Sequence, residues 1–213
     1  MSLTIDMDLR STLGEARDQG SRPTCMAFAV SAAHEATRSS TDYLSAEFLF
    51  YSGTRRSHGD PKRGLTQVAV ADALSNDGQP VEGAWPYSLT VPDVAAWKPP
   101  ANCDPVFKAS VTFASRTLAE VLALLRSGAP ALLLMTLTTA MYVPDAEGIV
   151  RSGPGDRVTT NRHALLAVGS GHDGAGEYLL VRNSWGTGWG IQGHAWFHDS
   201  CFSGRLHAVG VIS

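Results

Sequence analysis

The chain has 213 residues, 44% of them hydrophobic and 17% charged, with a formal net charge of −3. That is enough length and apolar content to bury a sizeable core, and too little charge asymmetry for a nucleic-acid-binding face or a strong steering field. The longest apolar run, APALLLMTL at 129–137, is too short to span a bilayer, and the polar start MSLTIDMDLR lacks the basic-then-apolar order of a signal peptide.

In chain order, the first half reads helical. From Thr24 the run TCMAFAVSAAHEATR is rich in alanine with few breakers, and Thr24 is a candidate N-cap. LSAEFLFYSGTRR follows from Leu44, with Ser45 as its cap. In GLTQVAVADALSNDG the residues Leu65, Val68, Ala69 and Ala73 recur at helical spacings, and the segment stops at Gly78. Residues 79–105 carry six prolines and read as an ordered loop. The second half opens with a helix, TLAEVLALLRSG, which starts at the Thr117/Glu120 capping box and ends at Gly128. Apolar runs at 131–137, 163–169, 177–182, 194–198 and 206–212, separated by glycine-rich turns, then predict strands. Helices followed by strands imply an α+β protein, with a helical lobe over about 20–105 and a β-rich lobe over about 106–213. A cleft between two lobes is a usual place for an active site.

The cysteines are Cys25, Cys103 and Cys201, an odd number with no C-x-x-C pair. This argues against a disulfide framework or a structural zinc site, and the simplest compartment is a reducing cytoplasm. Cys25 lies where a Gly/Pro-bearing turn gives way to a helix, and a helix N-terminus favours a thiolate. Far along the chain, His163 precedes the apolar run ALLAVG, and twenty residues later Asn183 ends YLLVRN and opens NSWGTGWG. If those two strands pair as neighbours, a base and the group that orients it share one rim, which an activated nucleophile requires. No metal or cofactor motif is present in the sequence.

RDQG before Cys25, CMAFA from it, HALLAVG and NSWGTGWG together resemble the papain family of cysteine peptidases, from about Arg17 to about Phe197. LSAEFLFY and WPY are similar to its bacterial members. The resemblance implies a two-lobed fold, a helical N-terminal lobe and an antiparallel β lobe, with the active-site cleft between them. It implies peptide-bond hydrolysis of a peptide or protein substrate through a thioester. Cys25 would attack the carbonyl, His163 would pair with it, Asn183 would hold the other ring N–H, and Gln19 with the Cys25 backbone N–H would receive the oxyanion. Trp185 would shield the His163–Asn183 hydrogen bond from water. Gly64, Leu65, Thr66 and Ala164 map loosely to the wall of the main specificity pocket.

The chain departs from the family pattern at Arg22-Pro23-Thr24-Cys25-Met26, where the family has Cys-Gly-Ser-Cys-Trp. Arg22 takes the place of the usual disulfide partner, and Met26 replaces a tryptophan of the cleft wall. Only 24 residues precede Cys25, so activity without removal of a propeptide is expected, and restraint by a regulatory protein is left open. The rival readings are a papain-like exopeptidase, isopeptidase or acyltransferase, and a non-catalytic binding module. His34, His58, His172, His194, His198 and His207 read as surface or packing residues, Cys103 and Cys201 as unreactive thiols, and Trp189 as packing for a tight glycine turn.

Overall fold

The computed structural model describes residues 3–38, 42–57, 59–115 and 117–213. The chain is α+β and divides into two compact units. One contains the residues up to Asp18 together with Phe113–Val211; the other contains Gln19–Thr112 with Ile212–Ser213.

The first unit is built on a sheet. Its strands are β1 (Thr4–Asp8), β2 (Val111–Ser115), β3 (Ala131–Thr138), β4 (Ile149–Val150), β5 (Val158–Asp173), β6 (Gly176–Arg182), β7 (His194–His198) and β8 (Leu206–Ile212). Among the described residues they run in the order β2-β8-β3-β5-β6-β7-β4, with β1 paired to β5 off that path. The pairs β1–β5, β3–β5, β3–β8, β5–β6 and β6–β7 are antiparallel, whereas the two-residue β4 pairs with β7 in parallel. The five apolar runs of the sequence all appear as strands. The longest differs in extent: β5 begins five residues before His163, so His163 lies inside a strand and not ahead of one. The residues VTTNR, with Val158 alone apolar, carry no apolar run, and their pairing with β3 through Thr138 extends the strand. β1 also draws the start of the chain into this sheet, through backbone pairing that its mostly exposed side chains do not announce.

From His163 to Gly171 β5 is buried without a break, as expected of a strand covered on both faces. Helix α4 (Leu118–Arg126) packs on β3 and β5 through its buried Val121 and Leu125. Its start follows the sequence reading: the Thr117 hydroxyl accepts from the Glu120 N–H at 3.4 Å and meets the Glu120 carboxylate. Its end also does, at Gly128 with φ +82°.

The second unit holds α1 (Cys25–Arg38), α2 (Ala46–Ser57) and α3 (Gln67–Asn76). Residues Met26 to Glu35 of α1 are all buried, which its small alanines allow. Ser45 accepts the Phe48 N–H at 3.1 Å at the start of α2, and Thr66 accepts the Ala69 N–H at 3.1 Å at the start of α3. Val68, placed on the apolar stripe of α3 by spacing, is 70% exposed; the buried stripe is Ala69, Val70, Ala73 and Leu74. The proline-rich stretch after Gly78 is irregular apart from a short 3-10 turn at Glu82–Ala84. It is anchored by the fully buried Gln79, whose side chain donates to Ser31 Oγ and Ser45 O and accepts from His34, while its backbone pairs with Phe107.

Gly169 sets how closely β1 can approach β5, because a Cβ there would lie 2.5 Å from the Met7 carbonyl oxygen. Gly169→Ala is therefore expected to destabilise the protein by about 1–3 kcal/mol in urea unfolding, and to lower hydrogen-exchange protection over Thr4–Asp8. Gly174→Ala, with no atom within 4 Å of the added methyl, should leave both unchanged.

Candidate active site

The sheet unit carries His163 and Asn183. The β5–β6 register pairs Leu166 with Arg182, so one further step along β6 brings Asn183 opposite Leu165 and makes His163 its diagonal neighbour on the same face. The side chains meet there: His163 Nε2 is 2.8 Å from Asn183 Oδ1. The same oxygen accepts the Ser184 N–H at 2.8 Å. An oxygen that takes two donors fixes the amide orientation, and it makes Nε2 the protonated nitrogen of the neutral ring, leaving the lone pair on Nδ1. His163, Asn183 and Ser184 are all buried.

An aromatic stack lies beside this pair. The Trp185 ring centroid is 5.0 Å from that of His163, and Tyr142 stacks on Trp185 at 5.3 Å and 17°. Asn161 donates to the Tyr142 hydroxyl at 2.8 Å, and Trp189 meets Trp185 edge-on at 5.8 Å. Trp189 is buried and donates to the Met141 carbonyl at 3.3 Å, the packing role its sequence context suggests. The segment is held from below by Arg182, whose guanidinium donates to Gly14 O and Glu15 O at 2.6 Å each.

The helical unit carries Gln19 and Cys25. Cys25 is the first residue of α1, is partly exposed and forms no disulfide. Gln19 is buried and donates from Nε2 to the Arg22 carbonyl at 2.6 Å, and the Thr24 N–H shares that carbonyl at 2.9 Å. The Tyr87 hydroxyl donates to Gln19 O at 2.7 Å, which leaves the Thr24 hydroxyl to donate to Tyr87 at 2.8 Å. Tyr87 also packs edge-on against Phe28 of α1. Met26 is buried.

Arg22, singled out in the sequence only as the residue replacing a cysteine, has no exposed surface. Its guanidinium makes a two-pronged ion pair with Glu47 of α2, at 2.5 and 2.9 Å. Sequence reasoning misses this pair; the available signal is a carboxylate inside the apolar run LSAEFLFY. It misses Trp97 and Tyr142 too, since isolated aromatics in loops carry no periodic signal, and it has Tyr87 only as the last residue of WPY, with no contact assigned to it.

The remaining expected site residues divide. Gly64 lies beside Pro23, with 3.6 Å between its would-be Cβ and the Pro23 carbonyl oxygen, and Ala164 is buried in β5. Leu65 turns its methyl groups onto Gly53 of α2, and Thr66 spends its hydroxyl on the α3 cap. Of the other histidines, His34 contacts Gln79, His172 contacts Asp6, His198 contacts Ser200 and His207 contacts Thr136; His58 lies outside the described residues. Burial pushes the Cys103 thiol up, and it pushes Cys201 up to about 11. Among the described residues no group of three His, Cys, Asp or Glu side chains could hold a metal, and no helix is long and apolar enough to cross a membrane.

A model of the papain family of cysteine proteases matches residues 3–203. A cathepsin L-like proteinase of Fasciola hepatica is 28% identical over 195 residues, covering 89% of this chain and 58% of that protein. Cysteine proteinase 3 of Entamoeba histolytica is 24% identical over 197 residues, covering 88% and 60%. The chain thus spans about three fifths of the length of these curated relatives. Among solved structures, xylellain, a cysteine protease from Xylella fastidiosa, superposes with a TM-score of 0.79 at 21% identity, covering all of this chain and 87% of that one. A cysteine protease of Carica candamarcensis, solved in complex with E-64, superposes at 0.72 with 24% identity and 97% coverage of both chains.

His194, next to this segment, supplies a pH test. Burial, and then the neighbouring Arg182 charge, push its ring down to about 4, and its Nδ1 pairs with the Gln192 carbonyl at 2.8 Å. The unfolded ring takes its proton near pH 6.5 and the folded one only near pH 4, so protonation between those values favours unfolding. Stability should fall as pH drops from 6.5 towards 4, and His194→Gln should flatten that slope in denaturant titrations.

Proposed function

Since the chain belongs to the papain family of cysteine proteases, we propose that it is a cysteine peptidase acting on peptides or proteins through a Cys25 thioester. The observation that carries the reading is the buried His163–Asn183 hydrogen bond beside Trp185, which presents an imidazole of fixed tautomer. Cys25 at the first position of a fourteen-residue helix supports it, because the helix dipole and the N–H groups of the first turn favour a thiolate there.

In this mechanism the Cys25 thiolate adds to the substrate carbonyl carbon, and the electron pair of the C=O bond moves onto oxygen. The Gln19 amide and the Cys25 backbone N–H donate to that oxyanion. Collapse of the intermediate breaks the C–N bond, and the His163 imidazolium gives its proton to the departing amine. Neutral His163 then takes a proton from a water that adds to the thioester carbon; collapse breaks the C–S bond, releasing the acid and restoring the Cys25 thiolate beside the His163 imidazolium. Asn183 holds the ring in place through both steps. Gly64, Ala164 and Trp185 are proposed to face the substrate; small walls at Gly64 and Ala164 would leave room for an apolar side chain. Leu65 and Thr66 contribute to this region through packing and capping.

A panel of fluorogenic peptides with reduced protein, and Cys25→Ala as the blank, tests the activity. Hydrolysis lost in Cys25→Ala and His163→Ala is the expected result. Silence together with an unreactive Cys25 would instead favour the binding module. Iodoacetamide at pH 6 should label Cys25 and spare Cys103 and Cys201 in the folded protein, whereas unfolding should expose all three. Gln19→Ala should lower kcat roughly 100-fold and leave KM nearly unchanged, because its donor acts on charge present mainly in the transition state.

A further inference from the structure

Arg22 and Glu47 form a charged pair with almost no access to water: their side chains are 0% and 2% exposed. Both terminal nitrogens of the guanidinium and both carboxylate oxygens are engaged. Arg22 Nη1 donates to Glu47 Oε2 and to the Ser88 carbonyl, both at 2.5 Å, and Nη2 donates to Glu47 Oε1 at 2.9 Å. Glu47 also receives Trp97 Nε1–H at 2.7 Å and the Ser88 N–H at 3.3 Å. The guanidinium lies over the rings of Tyr87, at 4.8 Å, and Phe50, at 5.4 Å. Removing two charges from water costs several kcal/mol each, and apolar replacements of such pairs are often neutral or stabilising. Stability alone is therefore a poor account of why an ion pair occupies this core.

The backbone of the same residue suggests what it does. The Arg22 carbonyl accepts Gln19 Nε2 and the Thr24 N–H, so Arg22 stands between the side-chain amide and the turn that delivers Cys25. Tyr87, stacked on the guanidinium, closes a second route, from its hydroxyl to Gln19 O and Thr24 Oγ1. A glutamine amide carries two hydrogens. One is committed to Arg22 O, which aims the other.

We infer that the buried Arg22–Glu47 pair is a positioning device for Gln19: it fixes the Arg22 carbonyl, and with it the direction of the Gln19 amide. Arg22 and Glu47 are positioning residues and touch no reacting atom. The catalytic consequence rests on the proposed role of Gln19 at the oxyanion, while the positioning itself does not.

The test uses the double variant Arg22→Met/Glu47→Leu, because a single change would strand the other charge in the core. In ¹⁵N-labelled protein the Gln19 side-chain amide signals, identified by their loss in Gln19→Ala, should be sharp and resolved in the native chain. In the double variant they should collapse towards the positions of a mobile glutamine. kcat should fall about tenfold with KM within about twofold, and that loss should vanish in a Gln19→Ala background. Unmoved Gln19 signals in a folded double variant, judged by near-UV circular dichroism, overturn the inference. So does a kcat loss that simply adds to that of Gln19→Ala. Released Gln19 signals with unchanged kcat support the positioning and refute the oxyanion role. If the double variant does not fold, Arg22→Lys, which keeps a positive charge beside Glu47 but cannot make the two-pronged pair, should shift the same signals; unmoved signals there overturn the inference equally.

Discussion

The sheet unit depends on the backbone pairing of one strand. β5 is bonded to β3 and, past the end of that pairing, to β1 along one edge and to β6 along the other, and its buried stretch runs from His163 to Gly171. Because side chains alternate strictly along a strand, a slip of one residue would turn His163 away from Asn183 and move a row of buried residues with it. The register is held by that burial, and by glycines that admit β1: Gly169 and Gly171 each face a β1 carbonyl at a distance no Cβ could share. The orientation of one imidazole is thus set by the packing of a whole sheet.

The helical unit uses a different constraint. The turn leading from Gln19 to Cys25 lies outside its described helices and strands, so no backbone ladder fixes it. Buried polar side chains do this work. Gln79 ties α1 to the Ser45 end of α2, and Arg22 with Glu47 ties the turn to α2, Ser88 and Trp97. Hydrogen bonds in such surroundings are strong because water does not compete, and costly to break because a charge would remain unpaired.

Much of this is legible in the sequence. The helices announce themselves through alanine content and caps at Ser45 and Thr117, and the five strongest strands through apolar runs between glycines; the Thr66 cap shows only in the structure. Gln19, Cys25, His163 and Asn183 are legible as motif positions, and for His163 and Asn183 strand pairing also anticipates their contact. What escapes has a common cause. β1, TIDMD, alternates over only five residues with mostly exposed side chains, and the start of β5 has Val158 as its one apolar residue; both are held by backbone pairing, which leaves little trace in side-chain pattern. Spacing misplaces Val68 because a ten-residue helix offers too few turns to define its phase; the buried face is that of Ala69, Val70, Ala73 and Leu74. The Arg22–Glu47 pair joins residues 25 apart, which no local periodicity can register.

The two amides of the proposed site follow one chemical pattern. Each bonds its own local backbone with half of its capacity and has the other half for a partner further off. Asn183 Oδ1 takes the Ser184 N–H with one lone pair and His163 Nε2–H with the other. Gln19 Nε2 gives one hydrogen to Arg22 O and carries a second. A primary amide can do this without net charge, whereas a carboxylate at position 183 would bring a charge into a buried site beside an imidazole that must cycle between neutral and protonated forms. A hydroxyl has a single hydrogen, so at position 19 it would lose either its anchor or its second donor. The residue types at these two positions are thus those whose valences suit anchoring and presentation at once, in a site where the only charges to change are those of the thiol, the imidazole and the substrate oxygen.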